Sequence, residues 1–195
     1  MYSEHIIYSA AIAIIVGMIY FRFTRRDPSW IIIIFAFVPD IDLALENALQ
    51  MLHRLFRTSF HYPVVAIHHG DFHNIVFLIL FSLLSAAILR QIGIRYVDGF
   101  ICSAVGFGAH LFEDALVFNP AWKFFWPISS KLYGIGVMQE SRNFFWIADG
   151  MVLLIGLIFL AFAVLIRTLV DGKGWWRVFL QGGRIEKNYG ILRIN

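Results

Sequence analysis

The chemistry of this chain rests on residues that bind divalent cations. His5, Asp40, Asp42, His68, His73, His110 and Asp114 stand at or near the ends of hydrophobic segments. Carboxylates and imidazoles are costly inside a bilayer, so those that occur there tend to serve a function. His110-Leu111-Phe112-Glu113-Asp114 sets an imidazole and a carboxylate four apart on one helical face, where both reach one ion. A helix-internal hydrogen bond reads the same pair without a metal. His68-His69-Gly70-Asp71-Phe72-His73 packs three imidazoles and a carboxylate into six residues before a hydrophobic run. His68 and His73 are the expected ligands, with His69 and Asp71 behind them or on a substrate. A solvated polar loop is the bland alternative. Pro39-Asp40-Ile41-Asp42 ends an apolar run with two acids, which the negative end of a helix dipole disfavours. One acid can ligate while the other orients a histidine or serves as a base.

Composition sets the surroundings. The chain has 195 residues, is 59% hydrophobic and only 15% charged, with mean hydropathy +0.73. That profile belongs to a membrane protein, expected to be one compact unit. Net charge +3 and pI near 9.2 come from loops and a basic tail; no basic-aromatic surface suggests nucleic acid. Cys102 is the single cysteine, so no internal disulfide or cysteine-based zinc motif exists. Histidines and carboxylates must therefore hold any metal. Ile6 to Phe21 resembles a signal-peptide core, but Glu4 precedes it without a Lys or Arg, so an uncleaved helix is expected.

The elements that must position these residues are five apolar segments, roughly 5–22, 29–45, 74–93, 97–118 and 144–170. The expected fold is all-α: a polytopic membrane helical bundle of about five transmembrane or re-entrant helices. The second segment is the weak one, because Trp30 to Val38 is too short to span before Pro39 interrupts it. Residues 1–170 form the expected membrane domain and 171–195 a cytoplasmic basic tail. Leu49 to Phe60 reads as an amphipathic helix at the interface, and Trp175-Trp176-Arg177 as an interfacial anchor. Arg22, Arg25 and Arg26, then Arg90 and Arg95, then Arg167 and the tail bias one side toward positive charge. The positive-inside rule places that side in the cytoplasm and the N-terminus outside. Helix parity then carries all seven candidate ligands to the outer side, whichever way the bundle faces. Asp149 is a further outer-half acid, and Glu140 and Arg142 are candidates to touch substrate.

Such a donor set suits zinc, as one or two ions, with manganese or iron as alternatives. The ordered motifs resemble the YdjM-type membrane-bound metal-dependent hydrolases. The matching residues are His5, Pro39-Asp40-Ile41-Asp42, His68 to His73, His110 with Asp114, and Trp126-Pro127-Ile128-Ser129. His69 stands where the family has Arg and Phe72 where it has Thr. A more distant similarity to zinc-dependent phospholipase C implies phosphoester hydrolysis by a metal-bound hydroxide, on a lipid or lipid-linked substrate. On that reading Asp40, Asp42 and His69 take part in catalysis. Asp71, Trp126, Ser129 and Arg142 contact substrate, and Phe124 and Phe125 help shape a lipid-facing mouth. The alternative is a non-catalytic metal carrier or sensor. Transport is disfavoured, because few polar residues continue through the inner half: Ser82 and Ser85 in the third segment and Ser103 in the fourth.

Overall fold

The computed structural model describes residues 2–56, 70–137 and 149–180, with side chains over 5–52, 70–137 and 152–180. His61, His68, His69, Glu140 and Arg142, and the side chains of His53 and Asp149, lie outside these ranges. Seven helices follow in order among these residues: α1 (Tyr2–Thr24), α2 (Trp30–Phe35), α3 (Ile41–Phe56), α4 (Ile75–Gln91), α5 (Tyr96–Val117), α6 (Asp149–Asp171) and α7 (Trp175–Leu180). No strand occurs among the described residues; Trp122 and Tyr133 form one isolated antiparallel bridge. His5–Thr24, Tyr96–Val117 and Val152–Asp171 are long and apolar enough to cross a membrane, and α4, at 17 residues, is shorter. The protein is an all-helical membrane bundle.

The expected second segment is two helices, not one. Pro39 has no amide hydrogen to donate and pushes Val38 away from helical backbone, so α2 stops after six residues. Helix α3 restarts at Ile41 and carries Asp42 in its first turn. The short α2 is nonetheless deeply placed. Ile31 and Ile32 are fully buried with Ala13 of α1 and Cys102 of α5. Gly106 makes this possible. A Cβ there would collide with the backbone carbonyl of Ile32 and meet Phe35 Cβ at 2.9 Å. Small residues at helix crossings are the usual means of close approach in a bilayer. Gly106→Ala is therefore expected to push α2 off α5 at a cost of about 1–3 kcal/mol. Thermal unfolding in detergent reads this directly, and an unchanged midpoint would contradict it.

Helix α4 begins cleanly because Asn74 caps it, its side chain accepting from the Phe77 amide at 3.0 Å. It packs along α5, and α6 packs along α1. The bundle end away from His5 is closed by buried ion pairs. Arg167 of α6 is 1% exposed, pairs with Asp27, and donates to the carbonyl of Ile14. Its Nε faces Asp171 at 3.3 Å, and its guanidinium lies 4.7 Å from the Trp175 ring. Trp175 thus packs on a buried arginine, where the sequence suggested only an interfacial anchor. Beside it, Arg26 Nε donates to Asp98 at 2.7 Å and the Tyr20 hydroxyl donates to the same carboxylate at 2.6 Å. Two of the arginines behind the positive-inside reading are therefore neutralised within the fold.

Candidate metal centre

The end of the bundle where α1 begins gathers residues from four separate stretches. Helix α1 supplies His5, the α2–α3 junction supplies Asp40 and Asp42, and the turn before α4 supplies His73. Helix α5 supplies His110, Glu113 and Asp114. His110 lies seven residues before the end of α5, about 10 Å along the axis. All of these side chains are buried except Asp40, which retains 13% exposure.

Each histidine is held so that one nitrogen faces the centre. His110 Nδ1 lies 2.7 Å from the Ala36 carbonyl, which can only accept, so Nδ1 donates there and Nε2 is turned to the centre. Nε2 of His110 is 3.2 Å from Nε2 of His73. Asp40 Oδ1 stands 3.5 Å from His73 Nε2 and 3.6 Å from His110 Nε2. Asp114 Oδ2 stands 3.3 Å and 3.5 Å from the same two nitrogens. Bonds of about 2.0–2.1 Å to zinc separate neighbouring tetrahedral donors by about 3.3–3.4 Å. The donor spacing and chemistry thus fit a divalent cation. His5 joins from the far side of Asp114, with Nε2 3.9 Å from Oδ1 and its ring stacked 4.0 Å from His110. Two donor groups result, His5–His110–Asp114 and Asp40–His73–His110.

Other residues hold the donors in place. Asp42 faces His73 from behind, with Oδ2 3.4 Å from Nδ1. The same oxygen accepts the amides of Gly70 at 2.9 Å and Phe72 at 3.1 Å. Asp40 and Asp42 therefore divide the two nitrogens of one histidine between them. The turn needs Gly70, whose φ is +101° and whose missing Cβ leaves room for the Trp122 ring. Trp122 donates its Nε1 hydrogen to Asp114 Oδ2 at 2.7 Å and lies 4.9 Å from His73. His5 Nδ1 donates to Glu113 Oε2 at 2.8 Å. Glu113 and Trp122 are the residues that sequence reasoning missed. Glu113 had a signal, because a position three after His110 shares its helical face. Trp122 had none, since it arrives on a non-helical segment.

The remaining candidates stand apart from this core. Asp71 is exposed on the turn, where its carbonyl accepts from the Asn74 side chain at 2.8 Å. Trp126 is exposed, and the half-buried Ser129 accepts the Lys131 amide at 3.2 Å. Phe124 is buried against Phe107 and Leu111, whereas Phe125 is exposed.

Burial alone would favour neutral His73, but hydrogen bonding to Asp40 and Asp42 and the nearby Asp114 charge raise its pKa to about 9. Burial pushes Asp40 upward, yet the bond to His73 and the surrounding imidazoles outweigh it and lower its pKa. With a pKa of about 9, His73 carries a proton on Nε2 near pH 7, where a cation would be ligated. Ligation needs neutral imidazole, so cation uptake would expel that proton. Affinity should rise about tenfold per pH unit up to roughly 9 and level off above it. Calorimetric titration with zinc near pH 7, in two buffers of different ionisation enthalpy, should show about one proton released per ion. Binding without proton release would contradict this.

The YdjM inner membrane protein family matches residues 1–179. No curated protein and no solved structure matches the chain. With the match covering nearly the whole sequence, the chain belongs to the YdjM inner membrane protein family.

Proposed function

We propose that this protein is a membrane-embedded, metal-dependent hydrolase of lipid or lipid-linked phosphoesters. The observation that carries the reading is the pair of buried imidazole nitrogens 3.2 Å apart, with a carboxylate oxygen on either side. His73, His110, Asp40 and Asp114 hold the cation, zinc by preference, and His5 adds a further donor. A bound divalent ion acidifies water and neutralises charge that develops on a phosphoryl group. Asp40 retains solvent access while Asp42 is committed to backbone amides and His73. Asp40 would therefore take the proton of the attacking water on the carboxylate oxygen that does not ligate, and Asp42 orients His73. Exposed Phe125, Trp126 and Ile128 offer an apolar approach for acyl or isoprenoid chains. The site faces the extracytoplasmic side in this reading.

Purified protein is to be screened against phospholipids and isoprenoid phosphates with and without chelator. The reading expects hydrolysis that chelator abolishes and added zinc restores. Stoichiometric metal without turnover on any of these substrates would replace it with a carrier or sensor.

A further inference from the structure

Helix α3 grows directly out of the candidate metal-binding end yet packs extensively on no other helix among the described residues. The packed helix pairs among the described residues are α1 with α6, α4 with α5, α2 with α5, α1 with α2 and α5, and α6 with α7; α3 belongs to none. Its sequence is strongly two-faced. Ile41, Leu45, Ala48 and Leu52 recur at helical spacing and form one apolar stripe, flanked by Leu49 and Met51. Glu46, Asn47 and Gln50 occupy the other side, where Gln50 donates to Glu46 at 3.3 Å. Ile41, Leu45, Met51 and Leu52 are all exposed.

We propose that α3 lies along the bilayer surface at the mouth of the site, with the stripe of Leu45 and Leu52 set into the headgroup–acyl boundary. The position of its first turn selects lipid as the occupant. Asp42 is buried behind His73 at the end where the span from His5 begins, so α3 starts at the membrane boundary. Exposed apolar side chains surround that end, among them Ile6 of α1, Ile75 and Ile79 of α4 and Phe112 of α5. The stripe continues that apolar surface. The polar face of α3 bars it from spanning, and an amphipathic helix of this kind binds in the interface plane. Through Asp42 the same helix holds the turn carrying His73, so lipid contact and the metal-binding end share one element.

Single nitroxide labels at Leu45, Leu52, Asn47 and Gln50 test this in the full chain reconstituted into phosphatidylethanolamine–phosphatidylglycerol vesicles. All four positions are exposed, and Cys102 is buried, so the parent protein supplies the background. Collision with oxygen should exceed collision with a water-soluble nickel chelate severalfold at Leu45 and Leu52, and the order should reverse at Asn47 and Gln50. Equal nickel access at all four would overturn the proposal. So would protection of Leu45 and Leu52 from both reagents, which would mean that protein covers the stripe. Neither outcome depends on catalysis, so the hydrolase reading stands or falls separately.

Discussion

His110→Ala should empty the site. Its Nε2 lies within 3.6 Å of His73, Asp40 and Asp114, and its ring stacks on His5. Among the described residues no other side chain touches as many of the donors. Removing a residue that merely supports a metal ligand costs about 10–100-fold in affinity, so losing this ligand should cost at least about 100-fold. The Ala36 carbonyl would also lose its donor inside the fold, adding about 1–3 kcal/mol of destabilisation. The variant is thus expected to be folded but weakened, without retained metal and without hydrolysis. Phe112→Ala is the matched control, two residues along the same helix but facing outward. It should keep both metal and activity. Equal metal content in the two purified proteins would show that His110 holds nothing.

The second large effect belongs to the opposite end and should leave the chemistry untouched. Asp27→Ala strands the Arg167 guanidinium, which is 1% exposed, leaving Asp171 at 3.3 Å as its one carboxylate among the described residues. Breaking a buried ion pair from one side costs about 3–5 kcal/mol. Arg167→Met strands Asp27 in the same way, apart from the Ser29 hydroxyl and amide that donate to it. Removing both charges together, as in the Asp27→Leu, Arg167→Met double variant, should cost less than either single change, because no buried charge is left alone. Thermal unfolding of the three variants forms a double-mutant cycle. Additive losses would mean that the pair is not coupled. Metal content per folded molecule should be unchanged in all three.

The sequence disclosed these two ends unequally. At the candidate metal-binding end the informative residues are close together in the chain: His110 with Asp114, Asp40 with Asp42, Gly70 with His73. Short spacings on a helix or turn translate directly into shared direction, so they can be read before the fold is known. Parity of the apolar segments carried the separate groups to one side. The division of labour between Asp40 and Asp42 was harder, since it depends on where α3 restarts after Pro39. At the other end, Asp27 and Arg167 are far apart in sequence, as are Arg26 and Asp98. A lone arginine after an apolar run looks like a cytoplasmic flanking charge, and only the packing of α6 on α1 shows its partner. Trp122 was hidden for the same reason, because its approach to Asp114 depends on a segment with no periodicity to read.

X-ray absorption at the zinc edge, on wild-type protein loaded with one equivalent of zinc, addresses the centre directly. The expected spectrum has a shell of nitrogen and oxygen at about 2.0–2.1 Å, no sulfur, and the outer-shell scattering of at least two imidazoles. A spectrum of hydrated zinc without imidazole scattering would contradict it.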